Sequence, residues 1–228
     1  MFSIPLYPIF MSLTGQNCLI VGFGQVGQRK LKSLLPCQPL SATIIDPLLS
    51  SELEKQFTGS NIIFKKRSWE ENDIAENDLI FAATNNIQEN MRIAKKCKML
   101  RKLCNSVTKP DSGNFTVPAT ARNDGLCVAI STGGASPMLA ALYKQELQSW
   151  LQDKEKLTWI MGQIRTAIIK TSQHADANAR FFKSIISSPF QDWLDNKDWE
   201  KCRQFLCTYL PNSEVNKILA EYADVFTA

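Results

Sequence analysis

The chain has 228 residues, 44% hydrophobic and 21% charged, with a formal net charge of +4. That length allows one large domain or a domain with an appendage, and the composition is that of a soluble globular protein. The small positive surplus gives no ground for nucleic-acid binding. One histidine and no Cys-x-x-Cys spacing argue against a zinc site, and no metal ligands are assigned. No run approaches the ~18 apolar residues of a membrane span.

The charge is uneven. Up to Phe115 there are 14 basic and 10 acidic residues, and after it 12 of each. The surplus suits an anionic ligand, and equally a solvated surface. Seven cysteines, an odd number, read as small apolar residues in a reducing cytosol. The apolar N-terminus has no Lys or Arg before Arg29 and is interrupted by Pro5 and Pro8, unlike a signal peptide. The expected location is therefore cytoplasmic.

Taken in chain order, Asn17–Val21 is an apolar strand that runs into Gly22-Phe23-Gly24-Gln25-Val26-Gly27 and then a helix from Gln25 to about Leu35. A G-x-G-x-x-G between a strand and a helix is a dinucleotide-binding turn. Gly22 allows the tight turn, Gly24 lets a pyrophosphate lie on the backbone, and Gly27 lets the helix pack close to the sheet. The helix N-terminus offers free N–H groups to the phosphates. A second strand, Ala42–Asp46, ends on an acid placed to bond a ribose 2′-hydroxyl and repel a 2′-phosphate. This favours NAD over NADP.

Ser50 or Ser51 caps a short helix through Phe57. Asn61–Phe64 and Asp78–Ala83 are the third and fourth strands, and Asn86 to about Lys102 is a helix with Ile93, Cys97, Leu100 and Cys104 on one apolar stripe. Lys95, Lys96, Lys98, Arg101 and Lys102 lie mostly on its other face, as on any solvated helix. Leu103–Val107 is the fifth strand. The alternation predicts an α/β fold with a parallel, doubly wound sheet. Loops at the carboxyl ends of its strands then converge on one crevice: Gly22–Gly27, Asp46-Pro47-Leu48, Thr84-Asn85-Asn86, and Asn105 to Asp111 nearby.

After Pro110 the pattern changes. Asn114–Val117 and Leu126–Ser131 read as strands around an Arg122-Asn123-Asp124-Gly125 turn. Ser131-Thr132-Gly133-Gly134-Ala135-Ser136-Pro137 is a second glycine loop. Ser136 caps a helix that starts at Pro137 and runs to about Leu151, making either an anion site or an ordinary capped helix. From Asp153 the chain reads as helical, with Trp150, Trp159, Trp193 and Trp199 in its core. His174, in a polar stretch, reads as exposed.

Several of these segments together resemble the precorrin-2 dehydrogenase family, also found as the N-terminal part of siroheme synthase. They are Tyr7–Phe10, Val21–Lys30 with its Arg29-Lys30 pair, Ala82–Asn86, Cys104-Asn105, Asn114–Ala119 and Val128–Pro137. The resemblance covers residues 4–150. It implies a Rossmann domain (1–112), a dimerisation and substrate region (113–150) and a helical C-terminal domain (151–228), in a homodimer with active sites between subunits. It implies NAD-dependent oxidation of precorrin-2 to sirohydrochlorin and, in some members, insertion of ferrous iron.

Carried onto this chain, the family's cofactor-binding positions are Gly22, Gly24, Gln25, Val26, Gly27, Asp46, Pro47, Leu48 and Thr84. Its substrate-binding positions are Asn105, Ser131, Thr132, Gly133 and Lys144. The chain departs from the family pattern at several positions, among them Ser106 and Lys109 in a stretch that the family reads N-V-V-D-D-P. Phe23 replaces a glycine, and Gly27 stands where alanine is usual, a change expected to be harmless to packing. Ala141 replaces an arginine, and Thr108 stands where the family has its catalytic aspartate. Thr108 and the nearby Asp111 are the catalytic candidates. A threonine hydroxyl is no general base near neutral pH without an activating neighbour. That motivates a second reading, a homologue that binds NAD or a tetrapyrrole without oxidising it. A short-chain type of dehydrogenase ranks last, because no helix carries Tyr-x-x-x-Lys.

Overall fold

In a computed structural model, residues 6–171 and 175–226 are described, and the chain divides into two units between Val117 and Pro118. His174 lies outside the described residues. The first unit is built on a five-stranded parallel sheet ordered β3-β2-β1-β4-β5. Its strands are β1 (Asn17–Val21), β2 (Ser41–Ile45), β3 (Ile62–Lys65), β4 (Leu79–Ala82) and β5 (Leu103–Ser106). Crossover helices alternate with them: α1 (Gln25–Leu34), α2 (Ser51–Gln56), α3 (Glu71–Ala75) and α4 (Ile87–Met99).

Helices cover both faces of this sheet, which is why β1, β2 and β4 are apolar at nearly every position instead of alternating. On one face Cys18, Ile20, Ile44 and Phe81 pack with Leu31 and Leu34 of α1. On the other, Leu19, Ile45 and Ile80 pack with Ile74 of α3 and Ile93, Ala94 and Cys97 of α4. The expected stripe on α4 therefore holds at Ile93 and Cys97. It stops there because the helix ends at Met99, leaving Leu100 at its C-cap 38% exposed and Cys104 on β5. Asn90 also lies on the buried side and is 0% exposed.

Ser50 caps α2, its side chain accepting from the Leu53 amide at 3.3 Å. The five-residue α3 has no strong sequence signal because its cap is a glutamate. Glu70 and Asp73 form a reciprocal capping box. The Asp73 side chain, 3% exposed, also accepts from both terminal nitrogens of Arg67 at 2.7 Å and from Lys65 at 3.2 Å. Burial alone raises the Asp73 carboxyl, but the bonds from Arg67, the Glu70 amide and Lys65 outweigh it and hold the group at about 2.

The start of α1 lies against the turn that precedes it. A Cβ on Gly27 would stand 2.1 Å from the Gly22 carbonyl oxygen. Glycine here thus permits the close approach expected of it, and an alanine would not fit in this chain, because the turn carbonyl already occupies the methyl's space.

The second unit opens with a hairpin of β6 (Ala119–Arg122) and β7 (Cys127–Ile130), in register from Ala119 opposite Ile130 to Arg122 opposite Cys127. The expected turn is present, with the Asn123 side chain accepting from the Gly125 and Leu126 amides. The first strand begins five residues later than Asn114–Val117. The Asn114 side chain instead bonds back to the Cys104 amide and the Lys102 carbonyl, and Pro118 has no N–H for a ladder.

Helix α5 (Pro137–Thr171) is 35 residues long, not the 15 or so expected. The charged run Asp153–Lys156 consists mostly of good helix formers and continues the helix rather than ending it. Ser136 accepts from the Leu139 amide at its start, as expected. Four more helices follow: α6 (Ala175–Ser187), α7 (Phe190–Asp195), α8 (Trp199–Leu206) and α9 (Asn212–Phe226). Ile160, Ile164, Phe181, Phe190, Leu206, Val215 and Tyr222 form their core, with Trp159, Trp193 and Trp199 packed on its edge. Trp150 is not part of it. It is 48% exposed, one helical position from the fully buried Leu151. Among the described residues no helix is long and apolar enough to cross a membrane.

Two predictions follow from the first unit's packing. Gly27→Ala should destabilise the unit by about 1–3 kcal/mol, the usual cost of overpacking, read as a lower denaturant midpoint. Asp73 sits near 2 in the fold against roughly 4 in an unfolded chain. Its contribution is complete above the unfolded value and is lost as pH falls from about 4 through 2, up to roughly 2 kcal/mol. Asp73→Asn should flatten the acid limb of a stability–pH curve over that window.

Candidate functional site

The carboxyl ends of β1, β2, β3 and β4 border a cleft of about 520 Å³, the place where parallel doubly wound sheets bind ligands. β1 contributes Val21, Gly22 and Gly24, β2 contributes Ile45 to Leu48, and the loop after β4 contributes Ala83 to Asn86. Of the cofactor-binding expectations, Gly22, Gly24, Asp46, Pro47, Leu48 and Thr84 line this cleft. Gln25, Val26 and Gly27 follow in the first turns of α1 and do not line it.

The three glycines do separate jobs. Gly22 has φ +94°, a left-handed conformation, and a Cβ there would lie 2.6 Å from the Ala83 carbonyl oxygen. Gly27 is closed off by Gly22. Gly24, the N-cap of α1, has an extended conformation that any residue adopts, and a Cβ on it would meet no protein atom within 4 Å. The space that glycine leaves is thus open to a ligand at a helix N-terminus, which fits a dinucleotide pyrophosphate.

Asp46 faces the same turn. Its Oδ2 accepts from the Phe23 amide at 2.6 Å, and its Oδ1 from the Leu48 amide at 2.8 Å. Phe23 itself turns away from the cleft, 2% exposed and edge-on to Phe57 and Phe64. The aromatic ring therefore anchors the turn in the core. Lys30, in the Arg-Lys pair, lies 5.7 Å from the Phe81 ring centroid, and burial pushes its ammonium down to about 8, with Arg29 adding to the shift. It does not line the cleft.

The loop after β3 supplies a wall that the sequence reading left out: Arg67, Ser68 and Trp69, joined by Glu89 and Arg92 from α4. The Trp69 Nε1–H donates to Glu89 at 2.9 Å. Arg92 lies 5.0 Å from the Trp69 ring centroid and bonds Glu89 at 3.1 Å. The rule that found the loops after strands one, two and four would have found this one.

Thr84 leads to the catalytic candidates through Asn90. The Asn90 Oδ1 accepts from the Thr84 amide at 3.1 Å and its hydroxyl at 2.7 Å. The Asn90 Nδ2 donates to the Thr84 carbonyl at 2.9 Å and to the Thr108 Oγ1 at 3.0 Å. Thr108 is exposed two residues beyond β5, and Asp111 is exposed in a 3-10 turn at Pro110–Ser112. Asn105 is 7% exposed, its amide donating to the Phe115 carbonyl at 3.1 Å. A polar residue at Asn90's place on an otherwise apolar helix stripe was the available sequence signal for this network.

In the second unit, the Ser131–Pro137 loop turns on Gly133 and Gly134, at φ +61° and +85°. The Thr132 Oγ1 donates to the Ser136 carbonyl and accepts from the Ser136 amide, both at 3.2 Å. Ser131 accepts from the Gly133 amide at 3.2 Å, and Lys144 is exposed on α5.

Comparison with known proteins agrees with this geometry. Residues 9–119 match a family model of NAD(P)-binding domains, and residues 123–149 match the model of the central region of sirohaem biosynthesis proteins. The siroheme synthase of Xylella fastidiosa is 31% identical over 191 residues, 83% of this chain and 40% of that protein. The siroheme synthase of Nitrosospira multiformis is 28% identical over 192 residues, 82% of this chain and 40% of that protein. The chain thus spans less than half the length of these relatives. The solved structure of SirC, a precorrin-2 dehydrogenase, superposes with a TM-score of 0.67 at 25% identity, over 90% of this chain and 98% of that one. The glycine turn falls in the stretch matched by the NAD(P)-binding model and the second glycine loop within the central-region match, so the chain is a homologue of siroheme synthases with the fold of a precorrin-2 dehydrogenase.

Proposed function

We propose that this chain oxidises precorrin-2 to sirohydrochlorin with NAD as hydride acceptor, as a cytoplasmic homodimer. The observation that carries the reading is the pairing, in one cleft, of the open Gly24 turn with the Asp46 carboxylate. Each Asp46 oxygen is held by one backbone amide, and its remaining lone pairs are free to accept from ribose hydroxyls. The 25% identity to a precorrin-2 dehydrogenase over nearly its whole length supports the substrate. Seven free cysteines suit a reducing compartment. Exposed Met138, Leu139, Leu142 and Tyr143 at the start of α5 suit a subunit contact.

NAD, when bound, takes up a hydride, so the oxidation also releases a proton. Within this proposal Asp111 is the acceptor for that proton, and the Thr108 hydroxyl, tethered to Asn90, is a hydrogen-bonding group three residues before it. Asn105, Ser131, Thr132, Gly133 and Lys144 are proposed for the substrate, whose carboxylates suit amide, hydroxyl and ammonium donors. Gln25, Val26 and Gly27 are proposed to hold the pyrophosphate through the α1 N-terminus. Insertion of ferrous iron, as substrate, into the product is a separate step. It needs a base for two pyrrole protons, and Asp111 is the one carboxylate among the two catalytic candidates.

One observation favours a second reading, a binding homologue without oxidation. Position 108 presents a hydroxyl that accepts from Asn90, and a hydroxyl is no base unaided.

Three measurements separate these readings. Purified protein given NAD and precorrin-2 should form NADH and sirohydrochlorin, and siroheme on addition of ferrous iron would reveal the second step. No NADH from a folded, NAD-binding protein sinks the dehydrogenase reading. Asp111→Asn should abolish NADH formation with NAD affinity retained, whereas activity gained only on Thr108→Asp would favour the binding homologue. Asp46→Ala should weaken NAD binding by about tenfold or more, the loss of hydrogen bonds to a charged group, and narrow the preference over NADP. Unchanged dissociation constants for both nucleotides would refute the role of Asp46.

A further inference from the structure

The cleft holds an acid that suits NAD, but also an arginine of the kind that accepts a 2′-phosphate in enzymes using NADP. β2 and β3 run parallel, with Ile45 beside Lys65 and the Asp46 amide bonded to the Lys65 carbonyl at 3.3 Å. Arg67, two residues past the end of β3, therefore emerges next to Asp46 and lines the same cleft. Left free, its guanidinium would be the natural partner for a phosphate on the ribose.

It is not free. Asp73 takes both of its terminal nitrogens in a two-pronged bond, each at 2.7 Å. The same carboxylate also takes the Lys65 ammonium and is fixed by the Glu70 amide at 2.8 Å. Asp73 is 3% exposed, and its held-down pKa keeps it charged throughout the physiological range. Arg67 itself is 36% exposed, so it is the two-pronged bond to a buried carboxylate, and not burial of the arginine, that holds the guanidinium. The other arginine of the cleft, Arg92, is likewise engaged, by Glu89 and Trp69. A ribose at Asp46 thus meets a carboxylate and no uncommitted guanidinium.

We infer that Asp73 is a specificity-determining residue: by sequestering Arg67, it denies the cleft a 2′-phosphate site and so enforces NAD over NADP. The inference rests on the dinucleotide reading of this cleft. Asp73 acts through Arg67 and touches no cofactor, so it is a positioning residue. Its removal should change the choice between nucleotides more than the affinity for both.

The test is direct titration of folded protein with NAD and with NADP, without the oxidation assay. In an Asp46→Ala background, which removes the acid's repulsion, adding Asp73→Asn should tighten NADP binding by about tenfold, the scale of a charge-assisted hydrogen bond, with NAD changed by no more than about twofold. Asparagine keeps one oxygen for the Glu70 amide and loses the charge that holds Arg67. Adding Arg67→Gln to that pair should cancel the gain. No gain in NADP binding, or a gain that survives Arg67→Gln, overturns the inference. Should Asp73→Asn fail to fold, Arg67→Gln alone decides. A sequestered arginine predicts unchanged NADP affinity, and a severalfold loss specific to NADP would show that Arg67 already serves a phosphate. Failure of the native protein to bind NAD at all overturns the cofactor reading and this inference with it. NAD binding without the NADP gain overturns the inference alone.

Discussion

The short bond from the Phe23 amide to the Asp46 carboxylate ties the first unit's two most important loops together. One end of it is fixed by aromatic packing, since the Phe23 ring is buried against Phe57 and Phe64. The other is fixed by the Leu48 amide and by the parallel pairing of β1 with β2. Given these constraints, Gly24 lines the cleft with open space where a side chain would stand. The acid that would read a ribose and the turn that would take a pyrophosphate are therefore set by one interaction, before any ligand arrives. This is pre-organisation in the ordinary sense: the ordering cost is met in folding rather than in binding.

Packing behind the turn explains how little freedom is left there. Gly27 lies against the Gly22 carbonyl and Gly22 against the Ala83 carbonyl, so the turn, α1 and the end of β4 are in backbone contact. Close-packed interiors transmit such constraints instead of absorbing them. Asn90 extends the constraint from β4 to the segment after β5. The cleft wall formed by Arg67, Trp69, Glu89 and Arg92 adds charge pairs that satisfy one another across α3, α4 and the β3 loop.

The parts of the fold that were legible in the sequence were those written in local chemistry. Glycines, short apolar runs and a serine cap located β1 to β5, α1, α2 and the start of α5 to within a residue or two. The missed parts depend on partners distant in sequence. Helix α3 needs Glu70 as a cap and Ile74 in the core, neither a strong local signal. The end of α5 was invisible because Asp153–Lys156 is polar, as both a loop and a solvated helix turn would be. In the site, Asp46 and Thr84 followed from the strand-end rule, which also reaches the loop of Arg67 but not the hold of Asp73 on it. A guanidinium's availability depends on what it is already bonded to, and only packing shows that. Gly27 shows the converse. Its residue type suggested a close approach of the helix, and the Gly22 carbonyl stands where a methyl would be.

The Asn90 amide has a consequence for the far end of its network. Its oxygen must face the Thr84 backbone N–H and its nitrogen the Thr84 carbonyl, and those two groups cannot exchange roles. The amide is thus locked in one orientation, and Thr108 can only receive a proton from it. The hydroxyl's own hydrogen is left to point outward. A carboxylate in its place could receive from Asn90 just as well, yet would present lone pairs to a visitor. With threonine, whatever approaches position 108 meets a hydroxyl that can donate a proton as well as accept one.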